Sequence, residues 1–224
     1  IKTINQTSIG LFPQFGYAVA VGCGRIVSVA NNADIVYIYD LDGNLIRSIS
    51  LSGDSVAIGC GKIVVGNIAG SGSASIYDLN GNFIKTITHP SPTAGDQFGY
   101  SVSVRSGRIV VGSPFDDALY ADQGSAHIYD LTGKFIRTIT HPSPAASDLF
   151  GYSVAVGSGR IVVGCYNDSS TLPGMGSISV YDLEGNFIYN LINAPVGASN
   201  DYFGYSVAVG SGRIVAGSFG DHIG

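Results

Sequence analysis

The chain has 224 residues, 45% of them apolar and only 12% charged, with a formal net charge of −5. So little charge and no run of Lys or Arg exclude the basic footprint that nucleic acid or an anionic membrane surface requires. No apolar stretch approaches the roughly 18 residues of a spanning helix, so no direct membrane insertion is expected.

Taken in chain order, Ile1-Lys2-Thr3-Ile4 stands alone, yet it matches Ile84-Lys85-Thr86-Ile87 and Ile136-Arg137-Thr138-Ile139 further on. Phe15-Gly16-Tyr17 opens a phrase over 15–27. It returns worn at 53–64, nearly whole at 98–110, and as Phe-Gly-Tyr-Ser-Val-Ala-Val-Gly-Ser-Gly-Arg-Ile-Val at 150–162 and 203–215. A second phrase built on Tyr-Asp-Leu-x-Gly lies between the copies, at 38–46, 76–84, 128–136 and 180–188.

Residues 98–140 show what one unit makes. Ser101-Val102-Ser103-Val104 alternates as a strand, and Ser106-Gly107 is a two-residue hairpin turn. Arg108-Ile109-Val110-Val111 is a β-branched strand covered on both faces. A loop from Ser113 to Gly124 leads to a third strand, Ser125–Tyr129. A tight turn at Leu131–Lys134 then leads to a fourth, Phe135–Ile139.

A four-strand unit of this length, repeated, predicts an all-β chain: a β-propeller of four-stranded antiparallel blades. A parallel β-helix needs a far shorter period. The expectation is one domain over 1–224 with about five blades, four complete and one split. Its units are roughly 15–50, 51–90, 98–140, 150–192, and 203–224 completed by 1–5. The chain begins and ends within a unit, so either the two ends complete each other or further chain continues the array. The second unit has Ser52-Gly53-Asp54 in place of Phe-Gly-Tyr and is expected to be the shortest and least regular blade.

Phe-Gly-Tyr-Ser-Val-Ser-Val over 98–104, with Ile-Val-Val-Gly-Ser-Pro over 109–114, resembles FG-GAP repeats, the units of integrin α-chain-type propellers and of microbial and phage surface proteins. The absence of Trp sets the chain apart from the WD, kelch and quinoprotein propellers. The resemblance implies an extracellular or surface-associated place and a role in adhesion. Members of the family often carry an Asp-rich calcium loop between the first two strands. Here that place holds only Gly-Ser-Gly-Arg or Gly-Cys-Gly-Arg, so the usual calcium site is expected to be absent. Asp40-Leu41-Asp42-Gly43-Asn44 is too short to wrap such an ion and is expected to be a hairpin turn.

In a propeller the loops after the second and fourth strands share one face. That face collects Asp34, Asp116, Asp168 and Asp221, the weak calcium candidates, with Asp96, Asp148 and Asp201 ahead of the Phe-Gly corners. The plainer expectation is that each Asp caps its own loop. The opposite face carries Arg25, Lys62, Arg108, Arg160 and Arg213 beside Asp40, Asp78, Asp130 and Asp182, which predicts cross-strand Arg–Asp pairs. Phe15, Phe98, Phe150 and Phe203 are expected to plug the gaps between blades. Cys23 and Cys60 stand where other units have Ser106, Ser158 and Ser211; these and Cys165 are expected to be free thiols.

A residue present in every unit builds the unit, so binding chemistry is sought where units differ. The irregular loops offer Asp116, Asp117, Tyr120, Asp122, Tyr166, Asn167 and Asp168, joined by Asp201 and Tyr202, to stack on and hydrogen-bond a ligand. His89 and His141, in identical His-Pro-Ser-Pro loops, are expected to be ordinary loop residues, because a metal needs its ligands brought together. No catalytic set stands out and no cofactor is expected. The expected function is a non-enzymatic binding or adhesion module with a glycan or protein partner, in a larger chain or oligomer. A structural spacer in a larger surface protein is the alternative, followed by a hydrolase or lyase using loop-face carboxylates.

Overall fold

A computed structural model describes Ile4, residues 14–192 and residues 199–220. Local turn chemistry sets its elements. The first two strands of each unit are joined by two residues at positive φ, such as Ser106 and Gly107 (52° and 77°) or Ser158 and Gly159 (51° and 74°). Both in the left-handed region is the turn whose twist matches the strands it joins. The third and fourth strands are joined by the Asp-Leu-x-Gly turn. There the Asp78 carboxylate accepts the backbone N–H of Asn80 and Asn82 at 2.8 and 2.9 Å.

These turns give four antiparallel sheets of four strands, each in chain order, and a two-stranded fifth. The first holds β1 (Phe15–Gly22), β2 (Arg25–Ala30), β3 (Ile35–Tyr39) and β4 (Leu45–Ser50). The second holds β5 (Ser55–Gly59), β6 (Lys62–Asn67), β7 (Ser73–Asp78) and β8 (Phe83–Ile87). The third holds β9 (Ser101–Arg105), β10 (Arg108–Ser113), β11 (Ser125–Asp130) and β12 (Phe135–Ile139). The fourth holds β13 (Ser153–Gly157), β14 (Arg160–Cys165), β15 (Ser177–Tyr181) and β16 (Phe187–Ile192). The fifth is β17 (Ser206–Gly210) with β18 (Arg213–Gly217).

The first strands β1, β5, β9, β13 and β17 pack successively on one another as the inner edge of the array. The second strands β6, β10 and β14 are covered from both sides. On β10, Ile109 and Val111 face the second sheet's Val64 and Ile76, while Val110 faces the fourth sheet's Ile161 and Val163. The outermost strands are exposed. One sheet alone leaves two oily faces in water; stacking hides both at roughly 1.5–3 kcal/mol per buried Val, Ile or Phe.

The Phe-Gly corners lock neighbouring sheets together. Phe98 and Phe150 are fully buried, each between the sheet it precedes and the one before. Beside each, the glycine carbonyl reaches back across the joint: Gly99 accepts from Ser55 Oγ, Gly151 from Ser101 Oγ and Gly204 from Ser153 Oγ, all at 2.7 Å. The backbones approach so closely that a Cβ on Gly112 would collide with the Gly151 carbonyl. The array is open among the described residues: Val19 and Val21 on β1 are 63% and 68% exposed, as is Val215 on β18 at 66%. The expected closing strand falls on residues 1–5, of which only Ile4 lies among those described. It packs with Phe15 against the outward face of the first sheet.

Two expectations are corrected. The second sheet is not irregular: its strands have 5, 6, 6 and 5 residues, as in the third. Leu51 packs into the first joint, and Asn31 Nδ2 donates to the Gly53 carbonyl and to Asp54 Oδ1, both at 2.8 Å. A polar clamp thus stands in for the missing corner. Nor do the register partners Arg108 and Asp130 pair across their strands. The Asp serves its own turn, Asp130 Oδ1 accepting from the Thr132 and Lys134 N–H, and the Arg reaches another sheet. Arg108 Nε donates to the Leu183 carbonyl at 2.9 Å and its guanidinium meets Glu184 at 3.1 Å; Arg25 Nε donates to the Leu79 carbonyl at 2.9 Å.

Candidate functional site

Each first strand starts on the inner edge at the loop end, and just before β9, β13 and β17 stands the Tyr of Phe-Gly-Tyr. Stacking the sheets therefore draws these tyrosines together. The Tyr100 and Tyr152 ring centroids lie 4.8 Å apart, and those of Tyr152 and Tyr205 5.0 Å. The loops that follow the second strands add Tyr166, 4.4 Å from Tyr152, and Phe219, 5.0 Å from Tyr205; Tyr202 stands 5.7 Å from Tyr166. Six aromatic rings from three sheets thus form one patch. Tyr205 and Phe219 are exposed and the others half-buried.

Burial and hydrogen bonds to the Tyr100 and Tyr205 hydroxyls push the Tyr152 phenol well above its ordinary pKa. Burial also raises Tyr100 and Tyr166. At neutral pH the patch carries no charge of its own. It offers ring faces and hydroxyls that both donate and accept, the equipment for a neutral ligand with apolar faces and polar edges. The second unit leaves a gap, since Asp54 stands where the others have Tyr and accepts the Ile68 N–H at 2.8 Å.

A second polar cluster lies farther out, at the joint of the second and third sheets. His89 Nε2 lies 3.2 Å from Asp116 Oδ2, and its Nδ1 lies 3.9 Å from Asp96 Oδ2. The His127 ring sits 4.2 Å from the His89 ring, with Nε2 on Ser125 Oγ (2.8 Å) and Nδ1 on Thr138 Oγ1 (3.0 Å). All four titratable groups are buried. Burial draws His127 down to about 3, helped by His89 alongside. Burial also pulls on His89, but its bond to Asp116 and the contacts with Ser91 and Asp96 outweigh this and leave it raised. Asp116 is lowered: its bonds to His89 and Ser125 overcome the cost of burial. Asp96 is raised, by burial and then by Asp116. A cavity of about 400 Å³ opens beside the cluster, lined by His89, Ser91, Thr93, Asp116, Asp117 and Thr138 among others.

The next joint repeats the frame. His141 Nε2 lies 3.5 Å from Asp168 Oδ2, and Asp148 Oδ2 accepts the Ala145 N–H at 2.6 Å. Ser179 stands where the previous joint has His127, and Cys165 where it has Ser113. The Cys165 thiol donates to the Asp148 carbonyl at 3.3 Å and is raised by burial and by Asp148 and Asp168.

The sequence-chosen residues divide by depth. Asp116, Asp168 and Asp201 are buried at the joints. Asp117, Tyr120 and Asp122 sit on one projecting loop, where Asp117 Oδ1 accepts the Asp122 N–H at 2.7 Å and Tyr120 is half exposed. Asn167 donates to the Ser147 carbonyl at 2.6 Å, and Tyr166 and Tyr202 join the aromatic patch. Of the calcium candidates, Asp34 is an exposed residue ending a short 3-10 turn (Asn31–Ala33), Asp116 and Asp168 belong to separate joints, and Asp221 lies outside the described residues. Asp40 forms the expected hairpin turn, its Oδ1 accepting the Asn44 N–H at 2.8 Å, and all three cysteines are free. Sequence reasoning missed Tyr100, Tyr152 and Tyr205, which looked structural because they recur. It also missed His127, although a lone His among Tyr37, Ser75 and Ser179 at that position was a usable signal.

The model of the FG-GAP repeat family matches residues 83–129 and 135–181. Each match runs from the fourth strand of one sheet to the third strand of the next, so each contains a joint with its corner. No curated protein matches the chain. Among solved structures, the computationally designed Ika4 protein is similar at TM-score 0.53 and 16% identity over 78% of this chain and 94% of that one. Hydrazine synthase of Kuenenia stuttgartiensis is similar at TM-score 0.60 and 12% identity; the match covers 85% of this chain and 53% of the synthase chain. At such identities the likeness is one of fold.

Proposed function

This chain carries FG-GAP repeats stacked as propeller-type blades, and from that premise we propose that it is a non-enzymatic binding module whose ligand is a glycan. The observation that carries the reading is the aromatic patch. Tyr205 and Phe219 expose ring faces to stack on the CH faces of a sugar, and the half-buried tyrosines packed behind them hold those rings in place and add hydroxyls. The projecting loop at Asp117, Tyr120 and Asp122 supplies further polar edges on the same face. A display role at a cell or particle surface fits such a module, alone or within a larger assembly. Loop-face carboxylates held at the joints by histidines and backbone N–H groups favour binding over hydrolysis or elimination.

A glycan array followed by calorimetry tests this. The expected result is saturable binding to at least one carbohydrate class, weakened about tenfold or more, roughly 1.4 kcal/mol, by Tyr152→Ala in a protein that still folds. Silence across the array overturns the glycan reading and favours a protein ligand or a spacer. Binding untouched by Tyr152→Ala moves the site elsewhere.

A further inference from the structure

The joint between the second and third sheets holds a donor set that the proposed glycan site does not use. His89, Asp116 and His127 come from three different segments and are all buried, with one ligand atom of each lying within 4.8 Å of the others. We propose that these three residues bind a divalent transition metal ion of the zinc class.

The donor types carry the choice of ion. Two imidazoles and one carboxylate suit zinc and its first-row neighbours. Calcium asks for six or more oxygens, and this set offers one carboxylate. Bonds of about 2.0–2.1 Å to a tetrahedral ion place ligand atoms roughly 3.4 Å apart. The His89–Asp116 separation of 3.2 Å already meets that, and His127, within 4.8 Å, has to close by up to about 1.4 Å.

The surroundings fit too. Asp96 stands 3.9 Å from His89 Nδ1, within a small ring rotation of accepting its N–H, the second-shell carboxylate that orients metal-bound imidazoles. Thr138 Oγ1 holds His127 Nδ1 in the same way from the other side, leaving Nε2 for the ion once Ser125 turns aside. The structure also carries orphans here. Ser113 Oγ, on the cross-strand partner of Ser125, and Gln123 Nε2 are buried without hydrogen-bond partners. His89 and Asp116 line the adjoining cavity, which gives the ion a way in and leaves a position open to water. Uptake gives up the Ser91 N–H contact to His89 Nδ1 (3.1 Å): the single proton of the neutral ring moves from Nε2 to Nδ1, facing Asp96, and the freed Nε2 takes the ion.

The neighbouring joint is a built-in control. It has His141 and Asp168 in the same places but Ser179 in place of His127; its Cys165 thiol is turned to the Asp148 carbonyl, and among the described residues its donor atoms do not gather within 4.8 Å as those of the first set do.

The test is zinc calorimetry on untagged chain carrying Cys23→Ser and Cys60→Ser. Those two exposed thiols line a separate cavity, and serine stands at the matching turns of other units. The expected result is one ion per chain, affinity at least tenfold weaker for His127→Ser, and no effect of calcium on zinc binding. Ser179→His is expected to raise the stoichiometry to two. Should His127→Ser misfold, as judged by circular dichroism, Asp116→Asn replaces it with the same expectation. No zinc heat in the parent protein, or zinc binding equal in parent and variant, overturns the assignment.

Discussion

The second–third and third–fourth joints are built from one pattern and differ at several buried positions, two of them polar or thiol-bearing exchanges beside the His–Asp contact. Both bury a corner Phe, Phe98 or Phe150; both set a His against an Asp; both close with a Ser hydroxyl on a glycine carbonyl, Ser55 on Gly99 or Ser101 on Gly151. Where one has His127 and Ser113, the other has Ser179 and Cys165. The shared residues hold the sheets together, and His127 in place of Ser179 turns a structural polar cluster into a candidate metal site. A repeat protein can thus change chemistry at one joint without disturbing its neighbours.

The comparison breaks first if the shared frame is unequal. Phe98→Ala and Phe150→Ala are each expected to cost about 3–5 kcal/mol in denaturant unfolding, and Ile109→Ala and Ile161→Ala about 2–5, because each empties a space between two sheets. A loss near zero for one member of a pair would mean that its joint is not packed as its twin.

Acid stability sharpens the difference. His127 stays neutral in the fold down to about pH 3, whereas the unfolded chain takes up that proton near pH 6.5. Unfolding therefore binds a proton between those values, and stability falls as pH drops from about 6.5 toward 3. The His127 share is on the order of 4 kcal/mol in metal-free protein. His89 works in the opposite sense: its raised pKa adds stability at low pH that fades as pH rises through its folded value. Subtracting the pH–stability profile of His127→Ser isolates the first effect, and parallel profiles would contradict it.

Smaller effects follow. Ser101→Ala and Ser153→Ala each remove one hydrogen bond to a corner glycine and are expected to cost about 1 kcal/mol. In thiol labelling of native protein, Cys23 and Cys60 are expected to react, while buried Cys165, its thiol raised by its surroundings, reacts only on unfolding. Rapid native labelling of Cys165 would show the third–fourth joint to be open.

Strands, tight turns and Phe corners were legible in the sequence because each rests on contacts within a unit or with its neighbour, and the repeat states them several times. The Arg–Asp pairing failed although its register was right. The Asp-Leu-x-Gly turn offers each Asp several backbone donors closer than any guanidinium, and the long Arg side chain spans to another sheet. The aromatic patch was hidden for a different reason. Tyr100, Tyr152 and Tyr205 look like scaffold in a linear text, and only stacking around an inner edge brings the copies face to face. His89 and His127 likewise lie on different units and meet only across a joint.

That convergence is the central claim, and a double-mutant cycle on Tyr100 and Tyr152 measures it most directly. The two rings are 4.8 Å apart, yet belong to separate units. Denaturant unfolding of Tyr100→Ala, Tyr152→Ala and the pair is expected to give a coupling of about 0.5–1.5 kcal/mol. Strict additivity would mean that the tyrosines of successive blades do not meet, and the patch and the binding role built on it would fall.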